Sequence, residues 1–235
     1  KKNTSEISGN TAIKRGRPRR TSNEVQGVKN TILQAVRVVF GQSGSQGLTV
    51  AKVIAQANIS RPTFYKYFSS LDEPLNTIIE GVNLELVNRI KVAAKDTSEL
   101  VPLILLVIDN YLSWGLKEND IIRSIREELL SPASIVATHR EITIESLHKI
   151  VTKTLNNDPK TIPDKIIFET LIMAGENIGY HMLITPDKNN LMKYRSDLIK
   201  MAIALFGNKK DWEAALTQPD LFNKWLFSLR PTWFC

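Results

Sequence analysis

The chain has 235 residues, enough for a sizeable buried core and for one or two domains. Its single cysteine, Cys235, excludes an internal disulfide framework and points to a reducing, cytoplasmic setting. No apolar run reaches the roughly 18 residues of a membrane span, and no apolar stretch follows the basic N-terminus as in a signal peptide, so neither a membrane partner nor export is expected. The chain begins at Lys1 without Met, which leaves its native N-terminus open.

The net charge of +7 is unevenly spread. Residues 1–70 hold 12 Lys/Arg against 2 Glu, whereas residues 71–235 hold 19 against 22 Asp/Glu. A basic head on a slightly acidic body is the footprint of a protein that meets a polyanion at one end. Charge alone is equally compatible with a solvated basic tail, so the motifs must decide.

Residues 1–21 are polar and basic without helical or strand period and read as a flexible arm. Within it, Lys14-Arg15-Gly16-Arg17-Pro18-Arg19-Arg20 looks like the core of an AT-hook. Arg15, Arg17 and Arg19 suit the negative potential of a narrow A·T minor groove, while Gly and Pro keep the backbone thin. From Ser22 the pattern turns helical: Val25, Val28, Ile32, Val36, Val39 and Phe40 fall three or four apart and share a face. Gly41, Gly44 and Gly47 then break the chain. Their spacing superficially suggests a phosphate loop, but they follow a helix and lack Gly-Lys-Ser/Thr.

Thr49 is suited to cap a second helix, Val50 to Ala57, with Ala51, Ile54 and Ala55 expected on its inner face. Asn58-Ile59-Ser60 reads as a tight turn in which Asn58 takes the left-handed conformation. Ser60 caps a third helix with Pro62 in its first turn. Two short helices joined by a tight turn behind a longer helix form a helix-turn-helix. On the third helix Arg61 can donate bidentately to guanine, Thr63 can touch a base, and Lys66 can reach a base or phosphate. The hydroxyls of Tyr65 and Tyr67 can bond phosphates, and Phe64 and Phe68, four apart, are expected to face inward.

The remainder reads as helix after helix. Expected spans run from Ser70 or Asp72 to Ala94, Ser98 to Leu116, Asp120 to Leu130, Ser131 to Leu155, Pro163 to Met182, and Lys188 to Gly207. Two short helices, Trp212 to Leu216 and Leu221 to Leu229, follow. No strand alternation or internal repeat is present. The expected fold is all-α, with a basic arm (1–21), a helix-turn-helix domain (22–70) and a larger helical domain (71–235).

The segment 25–75 resembles the DNA-binding domain of the TetR/AcrR family of transcription regulators. The resemblance is carried by Phe40-Gly41-Gln42-Ser43-Gly44 at the end of the first helix, by Gly47-Leu48-Thr49-Val50, and by Ser60 to Phe68. It implies a repressor-like homodimer on a palindromic DNA site, with a variable ligand-binding domain behind it. It further implies that Thr49 and Tyr65 meet phosphates while Arg61, Thr63 and Lys66 meet bases or backbone. Pro62, where the family has a small residue, would alter which groups reach bases, and Leu71 stands where the family usually has Lys. In this family the last two long helices pair with their mates in a four-helix contact. That assigns Ile167, Leu171, Ala174, Gly175, Ile178, Gly179, Leu198, Ala202 and Leu205 to a dimer interface, although an ordinary core face reads the same way.

Scattered polar and aromatic groups in apolar helices (Asn110, Tyr111, Trp114, His139, Glu176, Asn177, Tyr180) are candidates for a pocket binding a small-molecule effector. Surface faces would produce the same residues. The three His residues lack metal-ligand spacing, so no metal is expected, and no cofactor is implied. No HExxH, nucleophile elbow, Walker A or dinucleotide fingerprint supports an enzyme. An architectural binder of AT-rich DNA, dominated by its arm, is the remaining alternative.

Overall fold

The computed structural model describes residues 21–129, 131, 134–155, 164–185 and 187–217. Arg15, Arg17 and Arg19 of the arm and the expected helix Leu221 to Leu229 lie outside these. The described residues contain helices and no strand. They are α1 (Ser22–Gly47), α2 (Val50–Ala57), α3 (Arg61–Tyr67), α4 (Asp72–Ala93), α5 (Leu100–Lys117), α6 (Asn119–Ile125), α7 (Ile135–Thr154), α8 (Lys165–Ile184), α9 (Lys188–Phe206) and α10 (Lys209–Thr217). One-turn 3-10 segments follow α4 (Ala94–Asp96) and α6 (Arg126–Glu128).

The start of α1 is set by a capping box: the Thr21 hydroxyl accepts from the Glu24 N–H, and the Thr21 N–H donates to the Glu24 carboxylate at 2.7 Å. Its buried stripe is Ile32, Ala35, Val36, Val39 and Phe40. Near its end, Gly44 adopts φ 60°, ψ −170°, a kink that a side chain would strain. Thr49 caps α2, Asn58 ends it at φ 52°, ψ 49°, and Ser60 caps α3 by accepting from the Thr63 N–H. The inner face of α2 differs from expectation. Val53 and Ala57 are buried with Ile54 beside them, while Ala51 and Ala55 are exposed. Over eight residues two phases of the period fit almost equally well, and packing on α1 selects the one that buries Val over Ala.

Later helices start where side chains satisfy their free N–H groups. Ser134, not Ser131-Pro132, caps α7, and Asp164 caps α8. At α5 the expected cap, Ser98, is bypassed: Glu99 occupies the position without a side-chain bond. The first turn of α4 is served from outside, since the Ser70 hydroxyl accepts from the Asp72 N–H.

Helix α5 is the centre of the body, packed by α4, α8 and α9. By length and composition it is apolar enough to cross a membrane, a property the run-by-run reading missed, yet more than half of it is buried inside the fold. Its Asp109 is fully buried and forms a two-pronged ion pair with Arg195 of α9, at 2.5 and 3.0 Å. Helix α1 packs on α2, α4 and α6, so α4 and α6 link the helix-turn-helix to the body.

Candidate nucleic-acid interface and internal cavity

Phe64 and Phe68 fix the orientation of α3. Both rings are buried, with centroids 6.1 Å apart, and this turns the opposite side of a seven-residue helix outward. Arg61, Pro62, Tyr65 and Lys66 are exposed there. The Arg61 guanidinium lies 5.7 Å from the Tyr65 ring centroid, and the Lys66 ammonium 5.9 Å from that of Tyr67. Aromatic faces therefore hold both cations without neutralising them, and among the described residues no carboxylate pairs with either. Thr63 is half-buried and its hydroxyl sits 2.8 Å from that of Ser60, which commits it to the cap. Thr49 is exposed while its hydroxyl accepts from the Lys52 N–H at 3.3 Å. Lys52, one turn into α2, is a further exposed cation that the sequence reading passed over. Leu71 is half-buried against the core.

A second feature lies inside the body. Helices α4 to α8 enclose a cavity lined by Ile79, Leu86, Ile122, Ile125, Val136, Ile144, Leu147 and Ile172. Its interior admits solvent centres over about 80 Å³, whereas one water needs roughly 10–15 Å³. The polar lining is sparse: Asn83, Tyr111, Arg126, Arg140, Thr143, Glu176 and Tyr180. Arg140 donates to both Glu176 oxygens, at 2.6 and 2.8 Å. Burial pushes the Tyr111 phenol above its ordinary pKa, and the Glu176 carboxylate adds to this, so the group stays protonated. Trp114 lines the same space while its indole N–H donates to the Val82 carbonyl at 2.9 Å.

Of the residues picked as pocket candidates, Tyr111, Trp114, Glu176 and Tyr180 line this cavity. The other three are engaged elsewhere. Asn110 donates to the Leu106 carbonyl, His139 pairs with Asn76 at 2.8 Å, and Asn177 accepts from Arg126 at 3.1 Å. Arg140 and Thr143 were missed, although Val136, Arg140, Thr143 and Leu147 fall on one helical face, the signal that would have found them.

The residues assigned to a dimer interface divide. Ile167 and Leu205 are exposed, and Leu171, Ala174 and Ile178 are half-buried. Leu198 and Ala202 are buried in the protomer's own core, and Gly175 and Gly179 pack against Tyr111. A Cβ at Gly179 would lie 2.8 Å from the Tyr111 hydroxyl oxygen. These glycines are small because α5 approaches from within, so they offer no surface to a partner. The large apolar residues that α8 and α9 do expose are Ile166, Ile167, Met173, Ile184, Met201 and Leu205.

Residues 32–73 match the model of the family described as bacterial regulatory proteins, tetR family. Over 88 residues, 37% of this chain, the sequence is 30% identical to the nucleoid occlusion factor SlmA of Cronobacter sakazakii and 28% identical to that of Escherichia coli K12 / DH10B. The match covers 44% of these relatives, less than half their length. In structure, the chain is similar to a tetR-family transcriptional regulator from Streptomyces coelicolor, with TM-score 0.63 and 12% identity over 84% of this chain and 87% of that one. It is also similar to the transcriptional regulator FadR of Bacillus subtilis in complex with stearoyl-CoA, with TM-score 0.62 and 14% identity over 76% and 98%. Residues 32–73 thus carry a helix-turn-helix of the tetR-family type, on a body with the fold of these solved regulators.

Proposed function

We propose that the protein is a cytoplasmic repressor that binds a palindromic operator as a homodimer and responds to a small effector held in the cavity. The carrying observation is the outward side of α3, where Arg61 and Lys66 stand exposed with no acidic partner among the described residues. The α3 N-terminus, Arg61 and Lys66 enter the major groove, Tyr65 and Tyr67 steady the phosphates, and Thr49 and Lys52 flank them from α2. Thr63 touches the duplex through its methyl, since its hydroxyl serves the cap. The arm adds affinity along the minor groove. Two-fold pairing through the exposed apolar face of α8 and α9 sets two copies of α3 about one helical turn apart. The reading assigns no catalytic step and needs no metal.

The effector acts through α6. Ile122 and Ile125 of α6 line the cavity, while Ser124 on its other side donates to the Gly41 carbonyl of α1 at 2.9 Å. Arg37 of α1 bonds Glu118 and Asp120 beside it, at 2.6 and 3.1 Å. A ligand that shifts α6 therefore shifts the helix that orients α3.

A mobility shift of the full chain on the DNA upstream of its own gene, at 50 and 200 mM salt, tests the proposal. Retardation at low salt that weakens by orders of magnitude at high salt is expected for a protein neutralising several phosphates. No retardation at low salt overturns it. A second reading, an architectural factor without ligand response, draws on the basic arm and on the similarity to a nucleoid occlusion factor. Removing residues 1–20, which leaves the Thr21 cap of α1 in place, separates the two. Affinity falls while sequence preference survives if α3 is the reader, and preference disappears if the arm is.

A further inference from the structure

The cavity's aromatic and charged groups suit two opposite kinds of ligand. Tyr111, Trp114, Tyr180 and Glu176 would together make a cage for a cation. The chain fills that cage itself. Both Glu176 oxygens are taken by Arg140, and the Arg126 guanidinium lies 4.0 Å from the Tyr180 ring centroid, over its face. Of the ionisable groups lining the cavity, Arg140 and Glu176 cancel, and Arg126 is left as an excess positive charge. It sits on the turn after α6 and spends one donor on Asn177, out of the five a guanidinium carries. Apart from Asn83 and Thr143, the rest of the lining is branched aliphatic.

Resting on the reading of this cavity as the effector site, we infer that the effector is a small carboxylic acid with an apolar body, its carboxylate docked on Arg126. The hydrocarbon lies among Ile79, Leu86, Ile144 and Leu147, and the head sits at the edge marked by Tyr180. A charge-assisted bond to a guanidinium at a partly dry site is what selects such a head over a neutral one. The position also supplies a route to the DNA. The same turn carries Glu128, whose carboxylate accepts from Ser45 at the end of α1. An anion that pulls on Arg126 therefore pulls on the bond that ties the body to α1.

Octanoate, 1-octanol and octylammonium share one body and differ in head, and calorimetric titration of each into the full chain tests the inference. Octanoate should bind at least about tenfold tighter than octanol, equivalent to about 1.4 kcal/mol, and octylammonium more weakly than octanol. In Arg126→Gln the two affinities should come within about twofold of each other, with octanol binding unchanged. Arg126→Lys, which keeps the charge, should retain a preference of severalfold, and the melting midpoint of each variant reports whether it folds. Equal binding of octanoate and octanol by the wild type overturns the choice of head alone, as does a preference that survives in Arg126→Gln. Binding of none of the three overturns the cavity reading together with it.

Discussion

Single residues divide into those whose role is fixed by their neighbours in sequence and those fixed across the fold. Asn58 in the left-handed region, the Thr49 and Ser60 caps and the inward Phe64 and Phe68 all follow from local chemistry, and all were legible before any coordinates. Asp109 was not. It is a lone acid in an apolar helix, and only the fold brings Arg195, 86 positions away, against it. Leaving either charge buried alone is expensive, so Asp109→Ala should lose about 3–5 kcal/mol in urea unfolding. Replacing the pair together, Asp109→Leu with Arg195→Met, should recover most of that loss. Glu85 provides a pH-dependent counterpart. Burial pushes its carboxyl up, but hydrogen bonds from Lys117 and Arg89 outweigh this and hold it below the usual carboxylate range. A carboxyl with a depressed folded pKa stabilises above its unfolded pKa of about 4.3, and loses that contribution as pH falls through the folded value. Glu85→Gln should therefore flatten the acid limb of a plot of melting midpoint against pH, leaving the neutral limb's shape unchanged.

At the scale of elements, the helix-turn-helix was readable almost residue by residue because each of its signals is local: a cap, a turn, a four-residue aromatic spacing. The helices of the body were readable as helices but not as faces. On α8, Ile, Leu, Met and Ala occur nearly all round, so periodicity cannot separate the side that meets α5 from the side left outside. The small residues Gly175 and Gly179 suggest a close partner, and the partner is Tyr111 of the same chain. The α1–α6 contact was likewise invisible, because its key residue is small. A Cβ at Gly41 would lie 3.0 Å from the Asp120 Cβ, close enough to demand a shift of a few tenths of an ångström, and a longer side chain demands more. Gly41→Leu should prise α6 from α1, lower the melting midpoint by several degrees, and change operator affinity by fivefold or more in fluorescence anisotropy. It does this without altering any group on α3. An unchanged affinity with an intact fold would mean that α6 does not steer the helix-turn-helix.

For the whole molecule, the proposed reading joins two observations: the exposed apolar strip of α8 and α9, where two copies would pair, and the exposed cations of α3, which would face the DNA. Met173 and Met201 stand in that strip, 50% and 37% exposed. Met173→Glu with Met201→Glu places like charges where two copies would meet, and light scattering should then report a mass near 26.5 kDa in place of about twice that. Operator affinity should fall with it, since one α3 engages only half a site. On the proposed reading, α3 reads sequence through Arg61 and Lys66. Selection from a random duplex pool puts it to the most direct test, with wild type and Arg61→Ala/Lys66→Ala run side by side and their folding compared by circular dichroism. The wild type should enrich an inverted repeat with half-sites centred about 10 base pairs apart. The variant should lose about 1–3 kcal/mol at the base pair Arg61 contacts and enrich a degraded half-site or none. Enrichment of the same repeat by both proteins, or of no sequence by the wild type, would contradict it.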